Sequence, residues 1–176
     1  KFSANGEFLW TLGNTASGEE PDFNGIRGIS HDNFENIYAA DSFNHRIVKL
    51  DKSGNTVATF GSKGHNVGEF YFPEGVAVSD DGTIFIADTG NHRIQKIDAS
   101  GKYTAWGSKG ESESEFKFPK GIALDSSGNV YVADTENHRI QKFTSEGVFI
   151  SKWGGPRPFA VQRGRLYSRG PDNTFE

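Results

Sequence analysis

Apolar residues along this chain gather in short runs separated by polar, glycine-bearing turns. Gly121 to Leu124, Val130 to Ala133, Arg139 to Phe143 and Val148 to Trp153 make one set of four strand-like stretches. The turns between such stretches, Asp125-Ser126-Ser127-Gly128 and Thr144-Ser145-Glu146-Gly147, supply the positive-φ position that tight antiparallel connections favour, as do Asp80-Asp81-Gly82 and Ser53-Gly54. The pattern predicts a four-strand antiparallel meander. Ile94 and Ile97, or Ile140 and Phe143, stand three apart, so at a strand period of two they point to opposite faces and both faces need cover.

The meander repeats. Asp-x-x-Asn-His-Arg-Ile begins at Asp41, Asp88 and Asp134, and a glycine precedes each at a fixed distance: Gly28, Gly75 and Gly121. A unit of this size cannot bury two apolar faces alone, whereas face-to-face packing against its own copies covers both, which predicts a propeller.

The Asp-x-x-Asn-His-Arg-Ile block, the preceding Pro-x-Gly-Val-Ala-Val strand and the closing Phe-Gly or Trp-Gly resemble the NHL repeat family. The resemblance implies an all-β fold, a β-propeller, commonly six-bladed, with four-stranded antiparallel blades around an axial channel. It covers residues 1 to 155 and divides the chain into the end of a preceding blade (1–13), three full repeats (14–61, 62–107 and 108–154) and a degenerate partial blade (155–176), in which Pro158 replaces the usual glycine. About four blades' worth of sequence is present, and a segment of a longer ring is the expected object. A closed four-bladed ring and a homodimer that completes a larger ring stay open.

Within the motif, Asp41, Asp88 and Asp134 are expected to end the second strand and to accept hydrogen bonds within the following turn. Asn44-His45-Arg46, Asn91-His92-Arg93 and Asn137-His138-Arg139 are expected to begin the third strand, with the arginines tying the turn or a neighbouring blade. One copy per blade points to structure and not to catalysis. The three histidines occupy equivalent places on different blades and do not converge, so no metal site and no cofactor is expected. Gly61-Ser62-Lys63-Gly64 and Gly107-Ser108-Lys109-Gly110 lack phosphate-loop spacing and read as inter-blade loops. Asp32-Asn33 and Asp80-Asp81-Gly82 lack the ligand ladder of a calcium loop and read as turns.

Composition narrows the function. The formal net charge is −4, so no global positive field favours nucleic acid, and the chain has no cysteine for disulfides or thiolate metal sites. No apolar run approaches a membrane span. In this strand order, the loops entering the first strand and those joining the second to the third share one end of the channel. The residue before each first-strand glycine varies within a fixed frame: Arg27, Glu74, Lys120 and, by a weaker alignment, Arg157. Phe43, whose equivalents are Gly90 and Glu136, adds an aromatic anchor there. These five rim residues define the expected binding face, with a protein, peptide or glycan as partner. Single-stranded RNA is an alternative that the net charge and Glu74 disfavour, and relatives of the fold include lyases with metal-bound chemistry in the axial channel, an enzymatic alternative that needs convergent ligands on the innermost strands. Those strands are nearly all apolar or small, with His31 the one candidate nearby.

Overall fold

A computed structural model describes residues 2–8 and 22–155, together with the backbone of two strands beyond them. Three four-stranded antiparallel sheets follow one another, each in simple sequence order. Blade 1 comprises β1 (Ile26–His31), β2 (Ile37–Asp41), β3 (Arg46–Leu50) and β4 (Thr56–Phe60). Blade 2 comprises β5 (Gly75–Val78), β6 (Ile84–Asp88), β7 (Arg93–Ile97) and β8 (Tyr103–Trp106). A small parallel ladder of β9 (Ser108–Lys109) and β10 (Glu115–Phe116) leads into blade 3, formed by β11 (Pro119–Leu124), β12 (Val130–Asp134), β13 (Arg139–Phe143) and β14 (Phe149–Gly154). A hairpin of β15 (Phe159–Gln162) and β16 (Arg165–Ser168) follows.

The first strands of the three blades lie side by side, so the repeats are arranged about β1, β5 and β11 as the blades of a β-propeller. Two cores fill the spaces between blades. Tyr38, Ala40 and Ile47 of blade 1 meet Val76, Ile84, Ile86 and Ile97 of blade 2, while Phe85, Ala87 and Ile94 of blade 2 meet Val130, Val132 and Phe143 of blade 3. Ile94 and Ile97 therefore enter different cores, as their spacing predicts. Only the middle blade is flanked on both sides by a described blade: Ile94 is 0 % exposed, whereas its blade 3 equivalent Ile140 is 45 % exposed, and Ile29 at the other end is 70 % exposed against 5 % for its equivalent Val76.

The glycine of each first strand sets the distance between blades. A Cβ at Gly28 would stand 2.4 Å from the Glu74 carbonyl oxygen, and one at Gly75 would stand 2.1 Å from that of Lys120. Among the described residues, a Cβ at Gly121 on blade 3 would meet nothing nearer than the Ala133 Cβ at 3.4 Å.

Aspartate-led turns close the hairpins. Asp32 Oδ1 accepts from the Phe34 and Asn36 amides, Asp51 from Ser53 and Asn55, Asp98 from Ser100 and Lys102, and Asp125 from Ser127 and Asn129, all within 3.0 Å. The side chains of Asn36, Asn55, Ser100 and Asn129, which also donate to these carboxylates, and then the amides hold Asp32, Asp51, Asp98 and Asp125 below the ordinary carboxylate range against the opposing effect of desolvation. Asp32 thus serves a turn, and Asp80 accepts at 3.0 Å from the Asn33 side chain.

One expectation about the motif is corrected. The Asn-His pair does not begin the third strand: Ser42–Asn44, Thr89–Asn91 and Thr135–Asn137 each form a single 3-10 turn, and the following histidine is left-handed at φ 56°, 55° and 54°. β3, β7 and β13 begin at the arginine. The left-handed step lets the histidine amide bond back to the first residue of the turn, closing it before the strand starts.

Candidate functional site: a notch at the blade junctions

The site is built on a lock repeated in each blade. Asp88 is fully buried at the end of β6; its Oδ1 accepts the Tyr71 amide at 2.8 Å, and its Oδ2 accepts from Asn91 Nδ2 at 2.8 Å, Arg93 Nε at 2.8 Å and Gln95 Nε2 at 2.9 Å. Arg93 also donates to the carbonyls of His65, Asn66 and Glu69, at 2.8, 2.6 and 3.0 Å. The same set recurs around Asp134, with Asn137, Arg139, Gln141 and the Lys117 amide. In blade 1, Asp41 binds Asn44, Arg46 and the Asn24 amide. The aspartate therefore reaches beyond its own turn. Its main task is to fasten the loop that enters its blade, which explains why an acid, an amide and a guanidinium are needed together at this spacing.

The histidines join one blade to the next. His45 Nδ1 accepts the Phe72 amide at 3.0 Å, and His92 Nδ1 accepts the Phe118 amide at 3.1 Å. A backbone N–H can only donate, so Nδ1 carries the lone pair and the proton sits on Nε2. Burial pushes both imidazoles below their ordinary value of 6.5, and the nearby Lys63 and Lys109 ammonium groups push the same way. Because the unfolded chain then binds protons more readily, their stabilisation is complete above pH 6.5 and is lost as pH falls through the depressed folded values. The midpoint of thermal unfolding should therefore fall between pH 7.5 and pH 5. That slope should shrink in a His45→Asn/His92→Asn double variant, whereas the turn aspartates titrate below this window.

Between these locks, Arg27, Ser42, Phe43, Tyr71, Phe72, Glu74, Thr89, Gly90, His92 and Phe118 enclose an open notch of about 480 Å³. A β-bulge between Ile26 and Gly28 takes Arg27 out of the β1–β2 ladder. Its guanidinium carbon lies 5.6 Å from the centre of the Phe43 ring. Phe43 packs against Gly25, meets the Phe72 ring edge-on at 5.8 Å, and is still 47 % exposed. Glu74 pairs with Lys120 at 3.5 Å across the blade 2–blade 3 junction, so these two rim charges are a couple and not independent. Thr89 Oγ1 donates to the Pro119 carbonyl at 2.6 Å in the same junction.

Of the residues expected on the rim, Arg27, Phe43 and Glu74 line the notch and Lys120 reaches it through Glu74. Arg157 lies outside the described residues. Tyr71, Phe72, Phe118 and Gly90 are the contributors that sequence reasoning missed. Phe72 and Phe118 recur at equal positions two residues before Glu74 and Lys120, a signal available in the repeat. Gly90 has no such signal: it must be glycine because a Cβ would stand 2.5 Å from the Tyr71 carbonyl oxygen.

A second cavity of about 560 Å³ lies at the other end of the blade 2–blade 3 junction, among the hairpin turns. Its Lys96 and Glu146 are paired at 2.7 Å. Among the described residues, no group of three His, Asp or Glu is arranged to hold a metal ion, and no helix is long and apolar enough to cross a membrane. His31, exposed at the end of β1, contacts the Asp32 carbonyl.

Three consecutive four-stranded blades sharing an inner edge define a β-propeller with a loop-bearing rim. The NHL repeat family model matches residues 70–97 and 116–143, and the chain carries NHL repeats. No curated protein sequence matches the chain. Among solved structures, a streptogramin B lyase aligns with a TM-score of 0.61 at 18% identity, over 89% of this chain and 48% of the lyase. A virginiamycin B lyase from Staphylococcus aureus aligns at 0.59 and 16% identity, over 86% of this chain and 47% of its own. A nidogen/laminin complex aligns at 0.57 and 22% identity, over 76% and 51%. These likenesses establish the fold. The chain spans about half the length of the structures it matches.

Proposed function

We propose that the chain is a non-catalytic interaction scaffold that docks a protein or peptide segment at the rim notch between its blades. NHL repeats and propeller neighbours such as the nidogen/laminin complex support protein interaction in general. The observation that carries the notch in particular is the half-exposed Phe43, set among half-buried aromatics where the loops entering and crossing the blades meet. The locks beneath hold this surface rigid, so little ordering entropy opposes docking.

Selection of a displayed random peptide library on the chain tests the reading. Binding of the enriched peptides should weaken about ten-fold in Phe43→Ala and in Lys120→Glu, a typical loss for an anchor residue. It should be unchanged in Lys52→Glu, in a turn at the opposite end of blade 1. Enrichment independent of Phe43 and Lys120 would overturn the assignment of this face.

A further inference from the structure

We propose, building on that reading, that the notch recognises a carboxylate beside a large apolar side chain, so that its ligand is a peptide segment joining Asp or Glu to an aromatic or aliphatic neighbour. Three observations converge on this chemistry.

The first is the state of Arg27. Arg46, Arg93 and Arg139 each bond the aspartate and loop carbonyls of their locks, whereas the Arg27 side chain makes no hydrogen bond or ion pair among the described residues. Its guanidinium carbon lies over the Phe43 ring at 5.6 Å, and its unused donors suit the bidentate geometry a carboxylate offers.

The second is the charge balance. Among the described residues, Glu74 is the one acid lining the notch and pairs with Lys120 at 3.5 Å, so Arg27 is the lining charge left without a counter-ion. His92 adds a neutral donor, since acceptance of the Phe118 amide by Nδ1 leaves Nε2 as the protonated nitrogen of a lining side chain. A cationic ligand finds its acid already occupied, whereas an anionic one finds two donors.

The third is shape. Gly90 stands where blade 1 carries Phe43, and Tyr71 closes onto its backbone, its ring reaching 2.6 Å from where a Cβ would stand, so aromatic rings and not a projecting side chain form this part of the notch. An apolar group seated there meets Phe43, Phe72 and Phe118 while its neighbouring carboxylate faces Arg27. Nucleic acid would also bring anions to Arg27, but the formal net charge of −4 supplies no wider field for a phosphate chain.

The test is a set of ¹H–¹⁵N correlation titrations with an acetylated and amidated Gly-Ser-Glu-Phe-Ser-Gly peptide, its Glu→Gln and Glu→Lys counterparts, and hexauridylate. The acidic peptide should shift the Gly90, Phe72 and Phe118 amides and the His92 Nε2 resonance. The Gln peptide should bind about five-fold more weakly, the scale of one charge-assisted contact at an open site. Arg27→Gln should erase the difference between the two, and Phe43→Ala should weaken both. Equal or tighter binding of the Gln or Lys peptide would overturn the proposal, as would shifts confined to other residues, silence at millimolar peptide, or a notch response to hexauridylate alone. Selected peptides that depend on Phe43 but lack an acid would overturn carboxylate recognition while leaving the docking face standing; the absence of any Phe43-dependent peptide would remove the face itself.

Discussion

Gly75→Ala should destabilise the chain by about 3 kcal/mol, at the upper end of overpacking costs, because the clash is with backbone and not with a side chain that can turn away. The added methyl would sit 2.1 Å from the Lys120 carbonyl oxygen, and relief requires blades 2 and 3 to separate and loosen the Phe85–Val132–Phe143 core. Gly121→Ala is the matched control. It occupies the same position in the repeat, yet among the described residues its methyl would meet only the Ala133 Cβ at 3.4 Å, an ordinary contact. Stability there should stay within about 0.5 kcal/mol of the parent, because lost chain freedom in the unfolded state offsets small adjustments. Urea unfolding of both variants and the parent measures the difference. Equal losses at the two sites would mean that the glycine serves the strand and not the spacing of blades.

A comparable loss is expected from Asp88→Asn. The substitution keeps the shape but replaces an acceptor oxygen with an amide donor among Asn91, Arg93 and Gln95, all of which donate to it. Removing one partner of a buried charge pair costs about 3 to 5 kcal/mol, and the partial exposure of Arg93 places this case toward the lower figure. The entry loop, residues 62–72, should loosen first because Arg93 and Gln95 hold its carbonyls. Amide hydrogen exchange at Tyr71 and Phe72 should accelerate more than at Ile86 in the blade core.

The repeat made the blades legible because strand faces are written in side chains: Ile94 and Ile97 alternate, and their neighbours on the facing blades are apolar in turn. What the sequence conceals is written in backbone. The partner of His92 is an amide 26 residues away, which has no identity of its own in the sequence. The tight approach behind Gly75 is likewise to a carbonyl. Gln95 and Gln141 were readable but lie just past the Asp-to-Ile block, and their absence from blade 1, where Val48 stands instead, hid the pattern. For the notch, the variation among Arg27, Glu74 and Lys120 marked one end of the blades. It did not reveal that two of these charges pair with each other or that Tyr71 and Phe118 supply the walls.

The entry loops are gripped almost wholly by their main chain: the carbonyls of His65, Asn66 and Glu69 and the amides of Tyr71 and Phe72 bear the load. In the next repeat the same clasp closes on Glu111, Ser112, Glu115, Lys117 and Phe118. Several of those side chains differ completely between the two copies, yet the loop path is kept. Mutation can therefore rewrite much of what the rim displays without renegotiating how the blades stand, and a new specificity can be acquired one residue at a time on an unchanged frame.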